Sequence, residues 1–423
     1  MEHELRTEFI EDYVAPYGQE VTHGKIALEE HYESPTWDAT GDPENETARN
    51  KEEYFEAVKA RLHSPEIRIK EMDRNGVEMF IMSLTQPGIQ EVLDTDEAVK
   101  RAHEMNIWIY ENYVQKYPTR FNAFAAVALQ DPEAACKELE FCVKELGFVG
   151  ALINGYTMKN DKNNIEYLDE KQNFPFWQKL VELNVPLYLH PRDPAPNQQR
   201  GYEGYEGLLG SAWGFGAETA LHALRLLCSG LFDELPEAKL IMGHLGEGLP
   251  FGLPRVQHRL NNQKPCGAHK KPLTEYFEKN VYVTTSGHFN TQAFLNTLME
   301  CDASHVMFSS DTPYESLDEA ALWFDNTPPE LRRPRANRPP KRHQPAGIGF
   351  IVNTTVRPQG AAPYEGGAYF AASALPSSRP SVMANPSVNP EIAVEYCTAK
   401  RPPLLLPVAY RPSIGLYFLS STR

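Results

Sequence analysis

Eight short apolar segments alternate with segments of helical periodicity along residues 20–312 of this 423-residue chain. In chain order they are KIALEEH (25–31), EMFIMSLT (78–85), FNAFAAVALQ (121–130), FVGALING (148–155), VPLYLHPR (185–192), AKLIMGHLGE (238–247), NVYVTTSGH (280–288) and SHVMFSSDTPYE (304–315). Eight strand–helix repeats in about 290 residues have the count and length of a (β/α)8 TIM barrel. A doubly wound open sheet is the alternative. No GxGxxG follows the first strand, which disfavours a dinucleotide-binding fold.

The segments between the predicted strands carry helix start signals. Ser64 precedes a helical stretch with Pro65 in its first turn, and Asp94 is followed three residues later by Glu97. Asp131 stands before a third helical stretch. Such residues accept hydrogen bonds from the free N–H groups of a first helical turn, so they predict helix starts here.

The composition of the chain changes abruptly near residue 327. Residues 327–423 contain 12 Lys and Arg against 4 Asp and Glu, together with 16 of the 34 prolines. Proline at this density interrupts regular elements. We therefore divide the chain into an N-terminal extension (1–23), the barrel (24–326) and a Pro/Arg-rich tail (327–423). We expect the tail to be unstructured, and we favour an aberrant reading frame over a genuine basic extension as its origin.

Charge and cysteine content exclude several classes of protein. The formal net charge of −16 disfavours a nucleic-acid partner. No apolar run approaches the roughly 18 residues of a membrane helix, and the acidic N-terminal sequence does not have the pattern of a signal peptide. The six cysteines form no CxxC pair. We expect a cytoplasmic protein that neither spans a membrane nor binds nucleic acid.

Polar side chains follow the apolar part of nearly every predicted strand. In a barrel these strand ends converge on one face. Glu29 and His31 lie on the same side of the first strand because strand side chains alternate, while His190 ends the fifth predicted strand and Asp311 the eighth. Two imidazoles and two carboxylates suit one Zn²⁺ or Mn²⁺ with positions left open for substrate.

A second polar group follows the sixth predicted strand. Glu247 stands three residues after His244. A carboxylate at this spacing can orient the imidazole and raise its pKa. A capped helix start is the alternative interpretation. Arg255 is a cation able to meet an anionic substrate, although an ordinary solvated arginine explains it equally well. His222, in a helical stretch, is predicted to be structural.

Several segments closely resemble the hydroxybenzoate decarboxylases of the amidohydrolase superfamily, over about residues 24–326. The resembling segments are KIALEEH, GALINGY, VPLYLHPRDP, ETALHALRLLCSGLFDELPEAKLIMGHLGEGLPF, VYVTTSGHFNTQAF and MFSSDTPYES. The chain is most similar to γ-resorcylate (2,6-dihydroxybenzoate) and 2,3-dihydroxybenzoate decarboxylases, and less so to aminocarboxymuconate semialdehyde decarboxylase. The resemblance implies a (β/α)8 barrel with one divalent metal, a homodimer or homotetramer, and a role in aromatic-compound catabolism.

The resemblance also implies roles for individual residues. The implied metal ligands are Glu29, His31, His190 and Asp311; the implied catalytic residues are Asp311, His244 and Glu247; the implied substrate-binding residues are Asn154 and Arg255. His31 favours the γ-resorcylate branch, because some fungal 2,3-dihydroxybenzoate enzymes carry Ala there. We expect Zn²⁺ as the metal, with Mn²⁺ and Mg²⁺ as alternatives.

The implied reaction is non-oxidative decarboxylation of an ortho-hydroxybenzoate to a phenol and CO₂, with no organic cofactor. Asp311 would donate the proton to the ring, assisted by His244. A hydrolase of the same superfamily is the main alternative. Glu29 replaces the first His of a His-x-His pair and the fourth strand contains no Lys, so a binuclear hydrolase is disfavoured.

A faulty gene model that yields an inactive product is the third hypothesis. The sequence after residue 325 departs from the family pattern, in which a further helix covers the first and last strands. We therefore expect no packed fold from about residue 330 onward, a chain less stable than its relatives, and first proteolytic cleavage near residues 332–342.

Overall fold

The computed structural model describes residues 21–37, 50–328 and 331. The strands, β1 to β10 in chain order, are Lys25–Tyr32, Val77–Leu84, Phe121–Ala123, Ala151–Asn154, Thr157–Lys159, Asp161–Glu166, Leu187–His190, Leu240–Met242, Val281–Thr284 and Val306–Met307. The α-helices, α1 to α11, are Glu52–Leu62, Pro65–Arg74, Thr95–Ile109, Pro132–Lys144, Phe174–Glu182, Gly214–Cys228, Leu231–Glu234, Leu249–Leu260, Leu273–Asn280, Thr291–Glu300 and Leu317–Asn326. A π-helical turn, Tyr110–Val114, continues α3, and short 3-10 turns lie at Ile89–Glu91, Lys171–Asn173, Pro196–Tyr202, Glu206–Leu208 and Ala303–His305.

Eight of the described strands run parallel and form the predicted (β/α)8 barrel. One sheet has the order β1-β2-β3 and the other the order β10-β9-β8-β7-β4. Between β3 and β4 a single bridge joins Ala125 and Ala151. Between β10 and β1, the N–H of His31 donates to the carbonyl of Thr312 at 2.8 Å. The remaining strands, β5 and β6, pair as an antiparallel hairpin that the sequence did not predict.

Apolar side chains pack on both the inner and the outer side of these strands. One buried cluster takes its members from six of the eight barrel strands or the residues directly after them, as expected for a filled barrel interior: Ile81, Phe124, Leu152, Tyr188, Ile241 and Met307. A larger cluster includes the apolar faces of the helices, with Leu139 of α4 and Leu226 of α6 fully buried. The barrel is therefore a packed core, which leaves the strand ends as the place for a site.

The predicted helix starts are confirmed by their capping hydrogen bonds. The hydroxyl of Ser64 accepts from the N–H of Ile67 in α2. The carboxylate of Asp94 accepts from the N–H of Glu97 at 2.9 Å in α3, and Asp131 caps α4 in the same way. Each cap satisfies N–H groups that have no partner inside their helix.

Helix α11 contacts the start of β1 and the residues directly after β10. The ring of Phe324 lies edge-to-face on Phe308, with 5.0 Å between ring centroids. Asp325 forms a buried ion pair with Lys25 at the start of β1, at 3.0 Å. The predicted tail lies outside the described residues beyond positions 327, 328 and 331, as does most of the predicted N-terminal extension. Among the described helices, none has the length and apolar character needed to cross a membrane.

Candidate metal centre and active site

Four side chains meet at the carboxyl ends of β1, β7 and β10. Glu29 and His31 belong to β1, His190 ends β7, and Asp311 follows β10. One potential ligand atom of each lies within 4.8 Å of the other three. The first three residues are buried, and Asp311 is 13% exposed. The fold thus brings together the four side chains that the sequence nominated.

The two oxygens of the Glu29 carboxylate have different surroundings. Oε2 accepts hydrogen bonds from the hydroxyl of Tyr188 at 2.5 Å and from Ser286. Oε1 is buried without a hydrogen-bond partner among the described residues and lies 3.4 Å from His190 Nε2. A buried carboxylate oxygen left unpaired beside imidazoles calls for a further partner. A divalent cation fits that position and this set of oxygen and nitrogen donors.

The electrostatic surroundings of His190 and Asp311 favour the forms of these two side chains that bind metals. Burial, followed by the charge of His31, lowers the pKa of His190 well below its ordinary value, which keeps the imidazole neutral. Burial raises the pKa of Asp311, but hydrogen bonds with His244 and His31 outweigh it and hold that pKa below its ordinary range. Neutral imidazole and ionised carboxylate are the forms that coordinate metals.

His244 lies between two carboxylates. Its Nδ1 is 2.6 Å from Glu247 Oε1, and its Nε2 is 3.3 Å from Asp311 Oδ2. Burial lowers the pKa of His244, but the charges of Glu247 and Glu29 outweigh it and raise that pKa well above the ordinary value. The predicted His–carboxylate pair is therefore present, and the other imidazole nitrogen, Nε2, faces the four-residue cluster through Asp311.

A left-handed turn after β8 places this pair. His244, Leu245 and Glu247 have φ angles of 49°, 54° and 54°, and the turn is closed by a 2.7 Å hydrogen bond from the N–H of Gly246 to the carbonyl of Gly243. Non-glycine residues with positive φ are strained and persist only where the surrounding structure holds them. This turn replaces the helix start that was the alternative interpretation.

An open cavity of about 660 Å³ lies above the cluster. His190, His244 and Asp311 belong to its lining, and aromatic side chains that include Tyr54, Phe215, Tyr314 and Trp213 line other parts of it. A cavity of this size, with apolar walls and a few convergent polar groups, suits a small aromatic ligand.

Asn154 and Arg255 are not among the residues that line this cavity. Asn154, at the end of β4, is buried, and its backbone N–H donates to Gln90 Oε1 at 3.1 Å. Arg255 is exposed on α8. The four nominated ligands and the His244–Glu247 pair are thus assembled in one place, whereas the substrate contacts of these two residues stay predictions.

Sequence reasoning missed several residues that support the cluster or line the cavity. Tyr188 precedes His190 by two residues on β7, so strand alternation places both on one side and was a usable signal. Tyr54 comes from α1 and Phe215 from α6. No local pattern points to those two, because their approach to the cavity depends on how the helices pack.

The chain is similar to known proteins in both sequence and structure. The family described as Amidohydrolase matches residues 37–334. A "Gamma-resorcylate decarboxylase" of Polaromonas sp. (strain JS666) is 45% identical over 309 residues, which cover 72% of this chain and 93% of that protein. The protein of the same name from Rhizobium sp. (strain MTP-10005) is 42% identical over 309 residues, which cover 72% of this chain and 92% of that protein.

Solved structures show the same relationship. A dihydroxybenzoic acid decarboxylase from Polaromonas sp. JS666, with bound manganese and the inhibitor 2-nitroresorcinol, has a TM-score of 0.70 and 43% identity, covering 74% of this chain and 93% of that chain. A 2,6-dihydroxybenzoate decarboxylase complexed with 2,6-dihydroxybenzoate also has a TM-score of 0.70, with 41% identity, covering 74% of this chain and 96% of that chain.

The chain belongs to the amidohydrolase family. Within that family its similarity is to decarboxylases that act on dihydroxybenzoates, so the prediction of an amidohydrolase-superfamily decarboxylase is confirmed at the level of the family. A divalent metal is supported by the four-residue cluster and by the manganese-bound relative.

Proposed function

We propose that this protein catalyses the metal-dependent, non-oxidative decarboxylation of 2,6-dihydroxybenzoate, or of a close ortho-hydroxybenzoate, to a phenol and CO₂. The observation that carries the proposal is the convergence of four metal-ligand side chains with the His244–Glu247 pair beneath an open cavity. Similarity to γ-resorcylate decarboxylases supports the choice of reaction and of ring hydroxyl pattern.

The divalent ion would be held by the four residues of the cluster: Glu29, His31, His190 and Asp311. When bound, it supplies Lewis-acid chemistry that orients a carboxylate with its ortho oxygen and favours the phenolate form. Zn²⁺ is our predicted metal, and Mn²⁺, present in the Polaromonas relative, is the main alternative. Metal analysis of protein purified without added metal distinguishes the two.

The proton that replaces the carboxylate group is held by His244 and reaches the substrate through Asp311. Glu247 accepts from Nδ1 of His244 and favours its charged form, so Nε2–H points toward Asp311 Oδ2 at 3.3 Å. Asp311 passes this proton to the ring carbon that bears the carboxylate. The C–C bond then breaks, its electron pair returns to the ring, and CO₂ leaves. Each turnover consumes one proton, which the solvent returns to His244.

Aromatic side chains in the cavity lining offer surfaces on which the substrate ring can pack. Tyr54 and Tyr314 line the cavity, and the ring of Tyr314 lies 5.6 Å from the imidazole of His31. Phe215 adds an apolar surface from α6. A substrate ring packed against these side chains would displace water from the reacting carbon, which would strengthen the electrostatic interactions there.

The test is incubation of the purified protein with a panel of hydroxybenzoates, with chromatography of the phenol and measurement of released CO₂. We expect 2,6-dihydroxybenzoate to give resorcinol and CO₂, and we expect a chelator to stop the reaction. The Asp311→Asn variant is the control for background decarboxylation. A metal-replete protein that releases no CO₂ from any member of the panel would contradict the proposal. Hydrolysis of an amide or lactone instead would favour the alternative enzyme class.

Three finer predictions accompany this function. A homodimer or homotetramer is tested by size-exclusion chromatography with light scattering, and a cytoplasmic location by fractionation of the source cells. The domain division at residues 24–326 and 327–423 is tested by limited proteolysis. We expect the tail to be removed first, near residues 332–342, and a tail that resists the protease would contradict the division.

A further inference from the structure

Glu30 points to the opposite side of β1 from Glu29 and His31. It is fully buried, and its carboxylate is directed at the segment that follows β10. This segment carries Asp311. A charged side chain in such a place calls for an explanation, because burying a carboxylate is costly unless it is paired and hydrogen-bonded.

The Glu30 carboxylate accepts hydrogen bonds from residues on both sides of Asp311. Oε1 accepts from the N–H of Ser310 and the hydroxyl of Ser309, both at 3.0 Å. Oε2 accepts from the N–H of Thr312 at 3.1 Å. The hydroxyl of Ser310 lies 2.9 Å from both oxygens. The carboxylate thus holds the backbone immediately before and after Asp311.

Asp311 needs such support because its backbone is strained. Its φ angle is 70°, in the left-handed region that non-glycine residues rarely adopt. A conformation of this kind costs of order 1–3 kcal/mol and persists where the neighbouring structure fixes it. The backbone N–H groups of Ser310 and Thr312, on either side, are both held by Glu30.

Arg68 holds the same segment from α2. It is fully buried, and its guanidinium donates to the carbonyl of His31 at 2.6 Å and to the carbonyl of Thr312 at 2.9 Å. Its Nη2 is 3.7 Å from Glu30 Oε2. Arg68 therefore links the residue that follows Asp311 to the strand that presents His31, and it compensates the buried charge of Glu30.

The join between β10 and β1 depends on this arrangement. No regular ladder connects these strands in the described part of the chain. The hydroxyl of Ser309 accepts from the N–H groups of Leu28 and Glu29 at 3.1 and 2.7 Å. In a regular β-ladder, backbone carbonyl groups would accept these hydrogen bonds. Side chains therefore set the distance between the two strands at the level of the proposed metal ligands.

We propose that Glu30, backed by Arg68, is a positioning residue that fixes Asp311 opposite His31 and so sets the geometry of the metal centre. The inference rests on the proposed function, since it assumes that Asp311 and His31 share an ion. A purely structural role, in which Glu30 stabilises the barrel without affecting the centre, is the competing explanation.

The other end of β1 offers a matched control. Lys25 and Asp325 form a buried ion pair there that also joins the first strand to the C-terminal part of the barrel. The Asp325→Asn and Glu30→Gln variants each neutralise one buried carboxylate of such a link. Only the Glu30 link lies beside the proposed ligands.

The experiment measures Mn²⁺ affinity of metal-free protein by the EPR signal of free Mn²⁺, together with thermal unfolding. We expect Glu30→Gln to weaken Mn²⁺ binding at least tenfold and to alter the EPR spectrum of the bound ion. We expect Asp325→Asn to lower the melting temperature while its Mn²⁺ affinity stays within twofold of wild type. Ser310→Ala is a milder variant, expected to weaken binding about threefold, and it serves if Glu30→Gln does not fold.

Two outcomes separate the inference from the function on which it rests. A wild-type protein that binds no Mn²⁺ and releases no CO₂ would overturn both. A wild-type protein that does both, with Glu30→Gln and Ser310→Ala matching Asp325→Asn in Mn²⁺ affinity, would overturn the positioning role alone.

Discussion

Asp311 Oδ2 lies 3.3 Å from His244 Nε2, while its other oxygen, Oδ1, lies 3.1 Å from His31 Nε2. This carboxylate, itself a proposed metal ligand, thus contacts a second proposed ligand, His31, and the proposed source of the proton, His244. Because Asp311 also borders the cavity, a group bound there meets the metal cluster and the proton path together. This arrangement makes separate predictions for the two halves of the site.

Replacing His244 tests the proton path. We expect His244→Ala to lower kcat by about 10²–10⁴-fold, the usual contribution of a general acid–base group. Metal content should stay at the wild-type level, because His244 is not one of the four proposed ligands. Steady-state kinetics and metal analysis on the same preparation measure both. His258→Ala, at an exposed histidine of α8, is the control and should keep full activity. An unchanged kcat in metal-replete His244→Ala would remove His244 from the mechanism.

Removing the metal tests the four-ligand cluster through stability. A ligand that binds only the folded state raises the free energy of unfolding by about 2.7 kcal/mol at 100 times its Kd. We therefore expect Zn²⁺ or Mn²⁺ to raise the melting temperature of metal-free wild-type protein, and a chelator to reverse the shift. Glu29→Gln should lose this response, because the unpaired Oε1 of Glu29 is a proposed ligand. A metal-dependent shift of wild-type size in this variant would contradict the proposed ligand set.

A glycine beside the proton path allows a test that removes no functional group. A Cβ added at Gly287 would lie 2.9 Å from His244 Cδ2 and 3.4 Å from Asp311 Oδ2. We expect Gly287→Ala to displace the imidazole and to lower kcat about tenfold. Gly147→Ala is the matched control: both glycines have positive φ, 59° and 74°, but a Cβ at Gly147 meets no atom within 4 Å. Both variants should lose some stability because an L side chain is strained at positive φ. Equal kcat values in the two variants would contradict the prediction, since the imidazole would then tolerate the added methyl group.

The sequence predicted the barrel and the proposed ligands because both have local signals. Each barrel strand reads as an apolar run, and each parallel strand delivers its polar end to the same face. Glu29, His31 and His190 end or nearly end their strands, so their convergence followed from the strand order alone. Strand alternation also puts Glu30 on the other side of β1, but the sequence does not reveal its partners, which lie about 280 residues away in the chain.

Features without a local signal were missed or misjudged. The predicted strand at 121–130 is regular only at Phe121–Ala123, because beyond it the ladder to β4 is reduced to one bridge. The hairpin strand Asp161–Glu166 is mostly exposed and polar, so it shows no hydrophobic alternation. Arg255 stays a predicted substrate-binding residue; its exposed position on α8 depends on the orientation of that helix, for which the sequence has no local signal.

His222 makes a prediction about stability at acid pH. Its ring is fully buried in α6, Nε2 accepts from the N–H of Leu168 at 2.9 Å, and Tyr167 packs edge-on against it. These contacts confirm the structural role predicted for it. Burial, followed by the charge of Arg225, lowers the pKa of His222 to about 3.

The sign of the effect follows from where the proton binds. In the unfolded chain the histidine has an ordinary pKa of about 6.5 and binds a proton that it does not bind in the folded protein. The free energy of unfolding therefore falls as pH drops from about 6.5 to about 3. Each pH unit within this window costs up to about 1.4 kcal/mol from this residue. In the His222→Gln variant an amide oxygen can accept from Leu168 without titrating, so its unfolding free energy should fall less steeply over the same window. Urea unfolding from pH 7 to pH 4 measures the slopes, with His258→Gln as the exposed-histidine control. Equal slopes in all three proteins would mean that His222 is not buried in its neutral form in the folded protein.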